Sequence, residues 1–416
     1  MLVVTANWAI SDGSLSAPPP CGLFRRLCTD VCRTAVRAGF RHDGRYLPIE
    51  RVVLVLAGDT FEGLVSDRWL GEVRPWERRR EAAARRDAVF LAAWRHARRP
   101  LAAVARLARR GIAVPTAGRH GRPAPATCVN VPVRVVMLAG DRDAALERLA
   151  LDLPVGRLGI TVGNAWTGDA VHVVHGAASD PLGARDAGPT ILESLAVDLL
   201  ARFGAALGTR PGADERGRRL VRSLAAGQPL DAPLRLRRLL PTVTDQAAEA
   251  LRVVDAWRRS VDRWAREARR RGCPAADGVV DAIAWWMHAV ETGPGPGPAA
   301  LRVIADLSTP LPLGGSGRAL TVAGHPGPGA AGVDPPAVCL GPPAERPAAA
   351  AGFRILGQAA VSCVEAGSAS APAVPPAIAL FEAGEGGGRR WEWLSGGDFG
   401  GPEPAVAGAV PIPAAA

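Results

Sequence analysis

The sequence contains no lysine. All 50 basic residues are arginine, and tyrosine occurs once, against 48 glycines and 37 prolines. This bias reads as GC pressure on codon choice, so the formal charge of +10 carries less weight than usual. A basic balance ordinarily points to nucleic acid or an anionic membrane surface. Here the arginines fall on stretches rich in alanine and glutamate, where they read as solvated helix faces. No nucleic-acid partner is expected, although the arginines and tryptophans of 68–110 and 250–290 supply the ingredients for one. Cysteine is scarce and odd in number, at positions 21, 28, 32, 128, 273, 339 and 363, with no C-x-x-C pair. Neither a disulfide framework nor a zinc ribbon is suggested. Cys28 and Cys32 stand at a helical packing spacing. The first residues lack a basic region, a long apolar core and a cleavage site, so no signal peptide is expected. No uninterrupted apolar run reaches the ~18 residues of a membrane span. The expectation is a soluble, cytoplasmic protein.

What the chain does have is length and apolar content. Its 416 residues, 48% of them hydrophobic, can bury a sizeable core, as one large domain with an insertion or as two domains. The organising stretch is Arg51–Leu64, RVVLVLAGDTFEGL. Its run Val52–Ala57 is apolar, continuous and rich in β-branched residues, as a strand buried on both faces should be. Gly58-Asp59 then places a carboxylate at the carboxyl edge of a sheet, where open α/β sheets bind ligands. The bland alternative is that Asp59 or Thr60 caps a helix.

The pattern recurs. Residues 2–10 read as a first strand followed by Asp12-Gly13. Leu23–Ala38 has helical spacing, and Arg79–Arg110 reads as two helices broken near Pro100. Pro123–Ala126 reads as loop. Val131–Ala139 reads as a strand closed by Gly140-Asp141-Arg142-Asp143, then a short helix over Ala144–Leu151. Leu158–Val162 and Ala170–Val174 read as strands, the second ending in His175-Gly176. Pro189–Thr292 is helical throughout, with Trp257, Trp264, Trp285 and Trp286, and Gly293–Pro298 is its exit linker. Strand-like segments resume at Leu301–Ala305, Ala319–Ala323, Ala337–Leu340, Ala359–Val364, Ile378–Glu382 and Arg390–Leu394. Gly324-His325 closes the second of these.

Asp12, Asp59, Asp141, His175 and His325 thus each follow an apolar strand run. Carboxylate oxygens and imidazole nitrogens are ligands for Zn, Mn or Fe in hydrolytic sites. Two such ions about 3.5–4 Å apart can clamp a phosphate. Singly, each residue has a plainer reading: Asp12 in a turn, His175 in a core, His325 exposed in a Gly/Pro loop, Asp141 and Asp143 as helix caps. Their joint order is what argues for a site.

In that order the chain resembles the calcineurin-like metallophosphoesterases, and among them the UDP-diacylglucosamine pyrophosphatase branch. The resemblance rests on Asp12-Gly13-Ser14, Gly58-Asp59-Thr60-Phe61-Glu62, Gly140-Asp141-Arg142-Asp143, His175-Gly176 and Gly324-His325-Pro326-Gly327. The segment Ile378–Leu394 also looks like the closing hairpin of such enzymes. The resemblance implies a four-layer α/β/β/α sandwich with core over 1–188 and 299–400, around the all-helical insertion over 189–298; the tail over 401–416 reads as disordered. It implies hydrolysis of a phosphoric ester or pyrophosphate by a metal-activated water, acting on a small phosphoester or nucleotide-linked substrate. Asp59, Asp141, His175 and His325 would form one metal site. The other would keep only Asp12 and Asp59, because Ser14 and Gly327 stand where the family has histidines. One or two divalent ions (Mn, Zn or Fe) are therefore expected. Arg142 and Asp143 form the catalytic pair of this reading, with Arg142 suited to holding a phosphate bidentately. A non-catalytic descendant of the fold is the alternative function. The helical segment would serve as a cap over the site or as a homodimer interface.

Overall fold

A computed structural model describes residues 1–6, 8–17, 21–41, 43–149, 156–168, 171–175, 189–208, 214–225, 232–243, 247–271, 278–288, 320–323, 337–339, 377–383 and 388–393. The elements run β1 (Leu2–Thr5), β2 (Ile10–Ser11), α1 (Cys21–Arg37), β3 (Val52–Ala57), β4 (Phe61–Glu62), α2 (Arg80–Arg110), β5 (Ile112–Ala117), β6 (Pro123–Val131), β7 (Val133–Leu138), α3 (Ala145–Leu149), β8 (Ile160–Gly163), β9 (Ala165–Gly168) and β10 (Val171–Val174). A helical stretch follows: α4 (Ile191–Ser194), a π-helical turn (Leu195–Ala201), α5 (Arg202–Gly208), α6 (Asp214–Ala225), α7 (Ala232–Val243), α8 (Ala247–Arg270) and α9 (Val279–Met287). The last described elements are β11 (Leu320–Ala323), β12 (Ala337–Cys339), β13 (Ala377–Ala383) and β14 (Gly388–Trp393).

The fold is mixed α/β. A six-stranded sheet has the order β14-β13-β1-β3-β7-β8. Its centre is parallel, with Leu54 opposite Val3 on β1 and Val135 on β7. All six residues of β3 are buried, and the two faces explain why. Val52, Leu54 and Leu56 meet α1 and α2 through Phe24, Leu27, Phe90, Trp94 and Leu101. Val53, Val55 and Ala57 meet Val171 and Val173 of β10. That strand belongs to a second sheet, β12-β11-β10-β9, so the two sheets pack face to face. Successive side chains of a strand point to opposite faces, and with an apolar layer on each side the run must be apolar without alternation.

The hairpin of β13 and β14, which the resemblance implies over Ile378–Leu394, joins β1 antiparallel. Other elements differ from expectation. Residues 2–10 are not one strand. Ala9 has φ +47, its N–H bonds the Asp59 carbonyl at 3.0 Å, and Ile10 bonds that of Thr60 at 3.0 Å. The chain thereby leaves the main sheet and pairs β2 with β4. Helix α2 is continuous through Pro100. Its stripe Val89, Phe90, Ala93, Trp94, Ala97, Leu101, Val104 and Leu107 is buried on both sides of the proline. At roughly 1.5–3 kcal/mol per buried large side chain, that stripe outweighs the ~3 kcal/mol cost of an interior proline. Pro123–Ala126, read as loop, opens β6, which pairs antiparallel with β5. Most of β6 is exposed, so it lacks the alternation by which a strand is recognised. Strands expected over 301–305 and 359–364 lie outside the described residues.

The helices of 191–287 share one apolar core with Leu15, Leu64, Val65, Trp69 and Val89 of the α/β part. Trp257 and Trp264 are its buried anchors. Their indole N–H groups donate to the Met287 carbonyl at 2.7 Å and the Ser194 hydroxyl at 2.9 Å. Trp285 is exposed. The segment is therefore seated on the loop that follows Asp59, close to the strand ends.

Candidate metal centre

Three of the expected residues converge. Asp59 follows β3, Asp141 follows β7 and His175 follows β10, so two come from adjacent strands of one sheet and the third from the opposing sheet. Their ligand atoms all lie within 4.8 Å of one another. His175 Nε2 is 3.3 Å from Asp59 Oδ2 and 3.6 Å from Asp141 Oδ1. Two donors each about 2.1 Å from one ion at a tetrahedral angle sit about 3.4 Å apart, so these spacings suit a shared cation. Asp59 is 2% and His175 7% exposed at the side chain, while Asp141 at 19% forms the open side of the cluster.

The glycines of the motifs make this approach possible. Gly58 has φ +90 and Asp59 φ +50, a left-handed pair that turns the carboxylate inward. A Cβ on Gly58 would enter the His175 ring, and one on Gly140 would strike Asp59.

Around the cluster the polar groups are ordered. Asp143 is buried and accepts the Gly140 N–H at 2.5 Å and the Phe61 N–H at 3.1 Å, tying the two Gly-Asp turns together. The Arg142 N–H bonds Asp59 Oδ1 at 3.2 Å. Its guanidinium is 2.8 Å from Glu62 Oε2, 3.5 Å from Asp59 Oδ2, and also donates to the Ala225 carbonyl at the end of α6. Glu62 Oε1 in turn accepts the N–H groups of Leu64 and Val65 at 2.9 and 3.1 Å. Arg142 is thus directed at protein groups and fixes Asp59 in place. Glu62, which composition and strand-end reasoning left out of the site, is its main partner. The signal was the acidic residue three positions after Asp59.

The electrostatics of these groups favour added positive charge. Burial opposes the His175 imidazolium, but the charge and hydrogen bond of Asp59, with Asp141 and Asp143, outweigh it and raise its pKa to about 9. Burial, then Asp59, pushes Asp143 up to about 7, against its backbone hydrogen bonds and His175. Burial raises Glu62, with Arg142 opposing. Burial also opposes the charge on Arg142, yet Glu62, Asp59 and Asp141 hold it above its ordinary value. Asp59, Asp141, Asp143 and Glu62 surround one permanent cation, Arg142. A divalent ion among Asp59, Asp141 and His175 would offset the remaining negative charge, so the donor set and its surroundings fit a metal.

Asp12 is not brought into this cluster. One of its oxygens accepts the Ser14 hydroxyl at 2.7 Å and the Ser14 N–H at 3.0 Å, and the other accepts Ser66 Oγ at 2.6 Å. The Ser14 hydroxyl also accepts the Asp67 N–H at 3.1 Å. The two serines thus tie the Asp12 carboxylate to the loop that carries Trp69. His325 and Gly327 lie outside the described residues.

Comparison with protein-family models, with curated proteins and with solved structures returns no match. No helix among the described residues is long and apolar enough to cross a membrane.

Proposed function

We propose that the chain is a metal-dependent hydrolase of phosphoric esters or pyrophosphates, built on the four-layer sandwich of the calcineurin-like metallophosphoesterases and using one divalent ion, Mn, Zn or Fe. The observation that carries this reading is the convergence of Asp59, Asp141 and His175 at the ends of β3, β7 and β10. These three residues would hold the ion. When bound, it supplies a Lewis acid and lowers the pKa of water toward neutrality. Asp59 is aimed by the Arg142 N–H and guanidinium, and Asp143 locks the two turns that present Asp59 and Asp141. The exposed edge of Asp141 is the side from which a phosphoester or nucleotide-linked substrate would enter. Burial of Asp59 and His175 strengthens each charge interaction made there.

The hydrogen-bonding of Asp12 by Ser14 and Ser66 favours one ion over two. It also supports the second reading, a binding protein that keeps the fold, and at most one ion, without turnover.

Elemental analysis after purification with Mn or Zn should give close to one ion per chain. Asp59→Asn and His175→Ala should each lower that content by about tenfold or more, by loss of a direct ligand. Hydrolysis of an aryl phosphate ester should fall in parallel. Bound metal without any turnover would leave the binding-protein reading; no bound metal would overturn the hydrolase.

A further inference from the structure

A second concentration of buried charge lies where the helical segment meets the α/β part. Its hub is Asp198, 1% exposed, in the π-helical turn Leu195–Ala201. Such turns often mark functional positions. Arg74 Nε is 3.0 Å from Asp198 Oδ1, Arg271 Nη1 is 2.8 Å from Oδ2, and Arg202 Nε is 3.7 Å from Oδ1. Arg74 is buried and also donates to the carbonyls of Trp69 and Gly71. Arg271 lies over the Trp76 ring, 5.9 Å from its centroid. Glu267 is the other acid that acts on Arg202. It is already engaged by Arg271 at 3.0 Å and Arg270 at 2.9 Å.

The charges do not balance. Arg74, Arg202 and Arg271 lie against Asp198, Arg270 and Arg271 lie against Glu267, and Arg263 adds like charge to Arg202. Arg202 Nε is buried without a hydrogen-bond acceptor, although the side chain as a whole keeps 17% exposure. Burial draws the Arg202 guanidinium below the ordinary arginine value; Asp198 opposes this, and the like charges of Arg74 and Arg263 add to it. The surplus is therefore cationic, partly exposed at Arg202 and Arg271, and backed by the buried pair of Arg74 and Asp198.

We propose that Arg202 and Arg271 form a binding site for a compact phosphate-type oxyanion at this seam, distinct from the Asp59 cluster and independent of its function. A guanidinium presents paired donors that match phosphate oxygens. A doubly charged oxyanion offsets part of the excess left by the two carboxylates. The anion is either free phosphate or the phosphate group of a monoester, and the chemistry of recognition is the same.

The test is calorimetric titration of the full chain with inorganic phosphate and, separately, methyl phosphate. EDTA is present so that the Asp59 cluster holds no metal. Binding of one anion per chain is expected, weakening with salt, and the tighter ligand identifies the source. Arg202→Gln and Arg271→Gln should each weaken binding by about tenfold or more, the usual loss for a charged hydrogen bond. Without anion, Arg202→Gln should melt at the wild-type temperature or above it, since like-charge repulsion is relieved; with phosphate, only the wild type should gain. Absence of binding, unchanged affinity in both variants, or a lower anion-free melting temperature for Arg202→Gln would overturn the proposal. The last result would make Arg202 a strut for Asp198.

Discussion

Asp59 reaches His175 only because Gly58 has no side chain and a positive φ. Gly58→Ala should therefore push the imidazole out of the cluster. The left-handed backbone costs roughly 1 kcal/mol, and overpacking against a ring typically adds about 1–3 kcal/mol. Gly44→Ala is the control: Gly44 also has positive φ, but a Cβ there meets nothing within 4 Å. The expected outcome is loss of bound metal for Gly58→Ala and retention for Gly44→Ala, with both shifting the urea midpoint and the first shifting it more. At this scale the sequence is informative about Asp59, Asp141 and His175, since each directly follows an apolar strand and strand ends are where donors collect. It is uninformative about what occupies Asp12 and Arg142. A side chain's partners depend on loops that come near only after folding: Ser66 is 54 residues from Asp12 and Ala225 is 83 residues from Arg142.

Among the elements, Val52–Ala57 was readable because burial on two faces leaves an uninterrupted apolar run. The strands of the closing hairpin are legible as strand-like segments at Ile378–Glu382 and Arg390–Leu394, whereas their pairing is implied only by the family resemblance. The splitting of 2–10 was not readable, because the turn at Ala9 is set by hydrogen bonds to Asp59 and Thr60 carbonyls rather than by a local breaker. Nor was continuity through Pro100, where the packed face of α2 overrides a local propensity. The π-helical turn yields its own prediction. Asp198→Asn keeps the shape of the side chain but leaves Arg74, Arg202 and Arg271 without the charge they enclose. Breaking a buried ion network in this way costs roughly 3–5 kcal/mol, to be read as a lower urea midpoint. Phosphate should restore part of it.

For the molecule as a whole, the helical segment is not a detachable module. It shares a core with Leu15, Leu64, Val65, Trp69 and Val89, contributes Asp198 to the buried pair with Arg74, and brings the Ala225 carbonyl to Arg142. Helical periodicity revealed its existence and its tryptophan anchors. Its seat on the α/β part was hidden, because which surface an amphipathic face covers is decided by the partner surface.

The origin of the cluster in two different sheets has a consequence for how the chain assembles. Asp59 and Asp141 are neighbours as soon as β3 and β7 pair, but His175 arrives only when β10 docks across Val53, Val55 and Ala57. An ion bound by all three is a stitch between layers, and its affinity contains the free energy of docking them. Metal at a hundred times its dissociation constant should add about 2.7 kcal/mol to unfolding stability. The amide protons of β10 should gain exchange protection along with it, whereas those of the β5–β6 hairpin, which forms a sheet of its own, should exchange at the same rate with or without the ion. Equal protection of the two regions would mean that the sheets hold together with no help from the metal, and that the site reports on the fold without fastening it.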